Sequence, residues 1–511
     1  MTADTTGPRW RPPLLLLFGA GLLSGLALPP LGQWWVLALT LPVYLWRIET
    51  LPQGRWGRGF VSGLVFGFGY FVAAFHWIAF AFFINPADIW MMPFAVGGLA
   101  LFMAGYWGIA SALAMRVPRA LAPRWLAALL LIAVAEWLRG HLLTGFPWAV
   151  PGLAADGMGA VAQLASLVGM NGLTLLVLVW AALPALLWSR WRRERTVSLA
   201  ALAVLLCLPA AELWGLWRIG QNPTLLNGSV KVRLVQPNIS QDDKWRSDNA
   251  GAIFRSLMDL SSAGAAEAGV SLVVWPESSV PFLLDEDRTA LSQVGAILSP
   301  GRTLLAGAIR RDRGANGNDS YYTSVVAVNA EGEVSGRYDK WRLVPGGEFL
   351  PWEDLLTRLG FRKVVALPES FTAGRGPHNL PVPGLGLVAP LICYEVIFPN
   401  HLIAEERPDL IVNVTNDGWF GRSTGPYQHL AQARLRTIEQ GLPLVRAANT
   451  GISAVIDPLG KIVARTELLS RGVVDHLVPL PLAVTVYARI GDLALCLLIG
   501  LVLLSLRKVW I

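Results

Sequence analysis

Gly386-Leu387-Val388-Ala389-Pro390-Leu391-Ile392-Cys393-Tyr394-Glu395 opens as seven residues without a charge and ends in a thiol, a phenol and a carboxylate. The run Gly386–Ile392 reads as a buried strand, with Cys393-Tyr394-Glu395 at its end before a short helix. A thiol at a strand-to-helix turn feels the helix N-terminus, which favours the thiolate, the nucleophilic form. Outward from this stretch, residues 222–480 consist of short apolar runs broken by Gly, Pro, Asn and charges, the pattern of an α/β globular domain.

The flanking sequence is of another kind. The chain has 511 residues, 54% of them hydrophobic, with 22 Trp and only 15% charged. Globular chains run near a quarter charged, so this composition points to a membrane protein and excludes a disordered one. Up to about residue 218 apolar stretches follow one another near the roughly 20-residue length that crosses a bilayer. Spans are expected over 13–28, 34–48, 60–83, 89–115, 125–138, 163–188 and 197–217, with an eighth over 484–506. These give a membrane domain over 1–221, an α/β globular domain over 222–480 and a C-terminal transmembrane helix over 481–511. Arg489 and Asp492 shorten the last apolar core or delay it to Leu493.

Arginines orient the spans. Short loops on the N-terminal side carry Arg9 and Arg11, then Arg47, Arg55 and Arg58, then Arg116, Arg119 and Arg124, then Arg190, Arg192, Arg193 and Arg195. The opposite side carries Arg139 and Arg218, and the chain ends with Arg507 and Lys508. Both termini are therefore expected in the cytoplasm and the large domain outside. Between 222 and 480 there are 25 Lys and Arg against 27 Asp and Glu, net −2; elsewhere there are 17 against 8, net +9. The overall +7 is a topology signal and does not point to nucleic acid.

Of three cysteines, Cys207 and Cys496 fall in expected spans, where a thiol is ordinarily a small buried hydrophobe. Cys393 alone belongs to the outer domain, where an unpaired thiol is a liability unless it acts. Thiol chemistry also needs a proton acceptor and a group that holds an oxyanion. The carboxylate candidate is Glu277, in Pro276-Glu277-Ser278 after the strand Ser271–Trp275; taken alone, an acid after a strand is also commonly just solvated. The cation candidate is Lys340, in Tyr338-Asp339-Lys340-Trp341, followed by Leu343-Val344-Pro345-Gly346-Gly347-Glu348. The six His residues are scattered without zinc-site spacing, and no phosphate-binding glycine loop occurs, so neither metal nor cofactor is expected.

Trp-Pro-Glu277, Tyr-Asp-Lys340 with Glu348, and Ile-Cys393-Tyr-Glu395, in this order, resemble the Glu-Lys-Cys triad of the nitrilase superfamily of carbon–nitrogen hydrolases. Placed between seven spans and one, they resemble the apolipoprotein N-acyltransferase family. Further matching stretches are Val235-Gln236-Pro237-Asn238 with Lys244-Trp245, Asn413-Val414-Thr415-Asn416-Asp417-Gly418-Trp419-Phe420-Gly421, Arg446–Gly451, Thr144–Trp148, and Thr485-x-Tyr487-x-Arg489-x-Gly491-Asp492. The resemblance implies a polytopic α-helical membrane domain carrying an extracytoplasmic nitrilase-like αββα sandwich in a bacterial inner membrane. It also implies two substrates, a phospholipid acyl donor, usually phosphatidylethanolamine, and apolipoproteins with a diacylglyceryl-modified N-terminal cysteine.

On this resemblance Glu277, Lys340 and Cys393 are the triad and Glu348 is a second active-site glutamate. Tyr394 would shape an acyl pocket, while Glu395 either serves the site or caps the following helix. Trp245 and Trp419 either line the lipid site or act as interfacial anchors. Trp352 and Phe361, with Arg362 and Lys363 adjacent, read as an arm that dips into the outer leaflet or as ordinary interdomain packing. His76, Asn85 and Glu136, in or near spans, stay open between function and packing. Two rivals are a membrane-anchored nitrilase-like hydrolase with water as acceptor, and a non-enzymatic transporter or binding protein.

Overall fold

The computed structural model describes residues 11–118, 124–190, 195–266, 268–314, 319–349, 353–358, 371–399, 404, 406–493, 495–497 and 500. They form two compact units: one takes the chain up to Gln221 apart from Phe80–Ile89, together with residues from Thr485; the other takes Phe80–Ile89 and Asn222–Val484.

The first unit is helical: α1 (Leu14–Ser24), α2 (Leu37–Thr50), α3 (Trp56–Phe75), α4 (Met92–Ala114), α5 (Arg124–His141), α6 (Ala165–Arg190) and α7 (Arg195–Gln221). With their adjoining 3-10 turns, Trp56–Phe83, Pro86–Ala114 and Gly159–Leu183 are long and apolar enough to cross a membrane. Small residues let these helices approach closely, the packing device used where lipid removes the hydrophobic drive between helices. A Cβ on Gly63 of α3 would stand 2.0 Å from Ser111 Oγ of α4, and one on Gly21 of α1 would stand 2.0 Å from the carbonyl oxygen of Phe66. Where one expected span covers 163–188, the helix is interrupted at Gly169, whose φ of 65° leaves room for the Tyr487 ring.

Two carboxylates inside this unit, Glu136 and Asp492, are well paired. Glu136 accepts from Trp107 Nε1 at 2.7 Å and from Arg139, which also donates to the carbonyls of Phe146 and Trp148. The turn Thr144–Trp148 is thereby tied to α5. Asp492 accepts from Trp137 Nε1, Asn171 Nδ2 and Tyr487 OH at 2.9–3.1 Å. The short helix Val486–Ile490 ends at Gly491, φ 55°, and Cys496 N bonds back to Asp492 O, so helical chain resumes only after Asp492. Of the eighth expected span, residues 494, 498–499 and 501–506 lie outside the described residues. Contrary to the expectation of burial, Cys207 and Cys496 are exposed on their helices. The exposed residues Leu206, Leu213, Leu216 and Trp217 of α7 give the reason: the outer helix faces are themselves apolar, as contact with lipid requires.

The second unit contains two six-stranded sheets. One has the order β12-β1-β2-β3-β4-β5 and the other β11-β10-β9-β8-β7-β6. The strands are β1 (Leu226–Gln236), β2 (Leu272–Trp275), β3 (Thr303–Arg313), β4 (Asp319–Val328), β5 (Val334–Asp339), β6 (Leu380–Val382), β7 (Gly386–Ile392), β8 (Leu410–Thr415), β9 (Leu444–Ala448), β10 (Ala454–Ile456), β11 (Ile462–Arg465) and β12 (Gly472–Pro479). In each sheet three central strands are parallel, β1-β2-β3 and β7-β8-β9. The helices are α8 (Gln241–Lys244), α9 (Ala250–Ser262), α10 (Arg288–Ile297), α11 (Glu353–Arg358) and α12 (Gly425–Gln440).

Strand alternation builds the layers. Val232, Leu234 and Val274 of the first sheet meet Val388, Ile392, Val412 and Val445 of the second in one core. The alternate residues Val235, Val273 and Trp275 turn the other way and pack under α9 and α10. α12 covers the second sheet, giving an α/ββ/α sandwich, and is buried over nearly its whole length. The central parallel strands bring their carboxyl ends together, where sites collect in such sheets.

Candidate functional site

Three strand ends supply the candidate side chains. After β2, Pro276 and Glu277 leave the ladder in a turn with Ser278 at φ 45°, and Ser279 binds Gly307 O through its N at 2.7 Å and its Oγ at 2.8 Å. Gly307 is required here, because a Cβ would stand 2.2 Å from Pro276 O. After β5, Lys340 N still bonds Thr323 O at 2.8 Å, so its side chain leaves from a fixed ladder position. Asp339 beside it is held by Arg310 at 2.8 Å and Ser324 Oγ at 2.6 Å. After β7, Cys393 takes φ 49°, a conformation that costs a non-glycine residue of order 1–3 kcal/mol and must be imposed by its surroundings.

The surroundings that impose it are Glu395 on one side and a buried polar network on the other. Glu395 accepts from Ile392 N (2.8 Å), Trp341 N (2.9 Å), Arg342 N (3.3 Å) and Tyr338 OH (3.1 Å). It therefore caps the Cys393–Ile397 turn and joins it to the Lys340 strand end. On the other side, His429 Nε2 donates to Cys393 O at 3.0 Å, and its Nδ1 lies 2.8 Å from Asp417 Oδ1. Asp417 also accepts from Thr415 Oγ1 at 3.0 Å and Arg446 Nη2 at 2.6 Å, while Arg446 Nη1 donates to Asn413. Asp417 thus links Thr415 and Arg446 to His429 and, through it, to the carbonyl of Cys393.

The candidate acid–base groups meet around one ammonium. Lys340, 1% exposed, donates to Glu348 Oε1 at 2.8 Å and Glu277 Oε1 at 3.3 Å, and Glu348 Oε2 accepts from Val344 N at 2.8 Å. Burial works against the ammonium, yet Glu348, Glu277 and Cys393 outweigh it and hold the Lys340 pKa above the ordinary value. Burial, aided by Glu277, pushes the half-buried Cys393 thiol well up against the pull of Lys340. Burial likewise raises Glu348 against Lys340, and lifts Glu395 to about 7. The resting nucleophile is thus a thiol beside a carboxylate, whereas the strand-to-helix reading favoured a thiolate. The turn after Cys393 is a five-residue 3-10 segment with little dipole to offer, and burial dominates.

Lys244 completes the group: it is 1% exposed and its Nζ donates to Glu277 O at 3.1 Å. Sequence reading quoted Lys244, Asp417 and Arg446 within matching stretches without giving them a place in the site. A usable signal was present for Arg446, a charge in the middle of the apolar strand Leu444-Val445-Arg446-Ala447-Ala448, which must be paired if buried. None existed for His429, whose partners are distant in the chain.

Tyr394 is buried, edge-on to Phe398 at 5.0 Å, rather than open to a cleft. Trp245 closes α8 and is 36% exposed, and Trp419 lies half-exposed in the turn after β8. Trp352 and Phe361 lie outside the described residues.

Comparison with known proteins agrees with both parts of the chain. Residues 231–487 match the carbon-nitrogen hydrolase family, and residues 20–183 match the apolipoprotein N-acyltransferase N-terminal domain. The apolipoprotein N-acyltransferase of Rhodopseudomonas palustris is 41% identical over 98% of this chain and 96% of its own length. That of Bradyrhizobium diazoefficiens is 42% identical over 97% and 94%. Among solved structures, an amidase of the nitrilase superfamily from Nesterenkonia AN1 aligns at 18% identity and TM-score 0.39, covering 54% of this chain and 98% of that one. With two relatives above 40% identity along nearly its full length, and both domain types present in order, the chain belongs to the apolipoprotein N-acyltransferase family.

Proposed function

We propose that this chain moves a fatty acyl group from a membrane phospholipid to the free α-amino group of the diacylglyceryl-cysteine that begins an apolipoprotein. The observation that carries this reading is the convergence of Glu277, Lys340 and Cys393 in a chain of this family. Glu277 takes the Cys393 proton, and the sulfur attacks the ester carbonyl of the donor. Lys340 faces the resulting oxyanion, a contribution worth about 3–4 kcal/mol per donor in enzymes where one has been removed. Collapse expels the lysophospholipid alkoxide, which takes the proton back from Glu277, and leaves a thioester on Cys393. The amine then attacks the thioester, loses its proton to Glu277, and departs as an amide while the thiol is restored. Glu348 holds Lys340 in place, and Glu395 holds the nucleophile turn.

The substrate chemistry accounts for the membrane part. Donor and acceptor are lipids, and about 0.8 kcal/mol of burial per methylene keeps them in the bilayer, so the site has to meet them at its surface. We assign residues 1–221 to a seven-span domain, 222–480 to a periplasmic catalytic domain and 481–511 to an eighth span, with both termini cytoplasmic; the arginine distribution supports this. Phosphatidylethanolamine is the donor we assign, Trp245 and Trp419 line its path, and Trp352 and Phe361 belong to an arm at the outer leaflet.

The test uses the full chain in vesicles of phosphatidylethanolamine labelled in its fatty chains, followed by mass spectrometry of the Cys393 peptide. One acyl mass on Cys393, lost when a diacylglyceryl-peptide with a free amine is added and recovered as its amide, is expected. Rapid release of free fatty acid without an acceptor would instead make this a hydrolase, and no acyl mass would end the reading.

A further inference from the structure

Lys244 has no role in the sequence above, yet it is among the most constrained charges of the catalytic unit. It sits in α8, whose four residues are capped by Ser240, the Oγ of which accepts from Asp243 N at 3.2 Å. Gln241 Nε2 ties that turn to Asn416 Oδ1 at 2.9 Å, and Asn449 grips Ile239 just before it through both of its backbone groups. With the turn held at both ends, the Lys244 side chain runs inward, 1% exposed, and its Nζ donates to Glu277 O at 3.1 Å. A buried ammonium persists only where anions repay its desolvation. The titratable groups that bear on this one are Glu277 and Cys393, the two ends of the proton transfer that starts the proposed reaction.

Charge counting shows what it can do. Lys340 is shared by Glu277 and Glu348, so with both carboxylates ionised those three groups together carry −1. An anion on sulfur or on a tetrahedral oxygen beside them meets like charge, which fits the upward push on the thiol. We infer that Lys244 is a second cation of the acyl-transfer site, a positioning residue that holds Glu277 by its main-chain oxygen and balances the anion formed at Cys393. This rests on the function proposed above. The step gains no new reactant: the thiol proton still passes to Glu277, and the negative charge moving from carboxylate to sulfur stays within reach of Lys244 throughout. Burial, opposed by Glu277 and Cys393, lowers Lys244 to about 8. The balancing charge is therefore present below that pH and lost as pH rises through it.

The experiment compares wild type, Lys244→Met and Lys244→Arg in the full-length protein. Alkylation of Cys393 by iodoacetamide, resolved by mass spectrometry from Cys207 and Cys496, reports thiolate formation without any lipid chemistry. Single-turnover acylation from labelled phosphatidylethanolamine vesicles, followed from pH 6 to 10, reports the reaction. At pH 7 we expect Lys244→Met to slow alkylation by about 10- to 100-fold, the effect of one to two pKa units on the thiol. Lys244→Arg should stay near the wild-type rate and keep its acylation rate above pH 8, where the wild type declines. Wild-type alkylation in Lys244→Met overturns the inference, as does equal slowing of both variants, or a wild-type alkaline decline retained in Lys244→Arg. Should phosphatidylethanolamine fail to acylate even the wild type, the proposed function fails, and the alkylation rates still decide the role of Lys244.

Discussion

Asp417 shows how much of this candidate site hangs on charges outside the proposed triad. Its carboxylate is fully buried, a setting that by itself raises its pKa; His429 and Arg446 outweigh burial and hold it below the ordinary carboxylate range. Through His429 it reaches the carbonyl of Cys393, whose φ of 49° needs support. Asp417→Asn leaves Arg446 buried without its counter-ion and should cost about 3–5 kcal/mol. Because the folded-state pKa is depressed, the contribution of Asp417 is complete above its unfolded value of ~4 and fades as pH falls through the folded value. Thermal unfolding in detergent should show a large gap between wild type and variant at pH 7 and a smaller one at pH 3. A gap that stays constant would assign the loss to packing instead. At this scale Glu277 and Cys393 were legible as candidates because each follows a recognisable strand, and Lys340 because Tyr338-Asp339-Lys340 matches the family's motif. His429 was not legible, since a histidine gains its meaning only from partners 12 and 36 residues away.

Elements place these residues, and their close approaches set tolerances. Gly307 on β3 lies against Pro276 O, with 2.2 Å available to a Cβ, so Gly307→Ala must push the Glu277 turn away from β3. A displacement near 1 Å at a reacting group costs on the order of 100-fold in rate. We expect Gly307→Ala to lower single-turnover acylation of Cys393 by about that factor while circular dichroism keeps the wild-type spectrum. Unchanged acylation would mean that the turn relaxes without moving its carboxylate. Alternation and apolar runs foretold β2 and β7 nearly to the residue, because burial on both faces leaves a continuous apolar signature. The break in α6 at Gly169 left no such mark, since the residue that demands it, Tyr487, is more than three hundred positions away. Helix separations were equally hidden: Gly63 reads as one small residue among apolar ones until Ser111 stands opposite.

For the whole molecule, orientation is the property that the arginines argue for and that labelling can decide. In a chain with its three cysteines changed to Ser, Lys461→Cys and Arg55→Cys each offer one exposed thiol, in the catalytic and helical units respectively. A membrane-impermeant maleimide added to spheroplasts should label the first and reach the second only after lysis. The reverse pattern would invert the proposed topology. Composition sufficed for an apolar helical part, a globular part and the order in which they follow, because desolvation acts on each short stretch of chain independently. The expectation that Cys207 and Cys496 are buried failed for a related reason: an apolar segment does not reveal which of its faces meets other helices and which meets lipid.

Thus the chain by itself determined its family, its division into helical and α/β parts, and the triad candidates, all carried by local runs and their order. Tertiary structure alone decided that Lys340 is divided between two carboxylates, that Lys244 backs Glu277, and that a chain of Thr415, Asp417 and His429 holds Cys393 in its strained turn. The physical reason is range. Hydropathy and backbone preference are properties of neighbours in sequence, whereas the charge felt by a buried group depends on whatever folding brings within a few ångströms, from any distance along the chain.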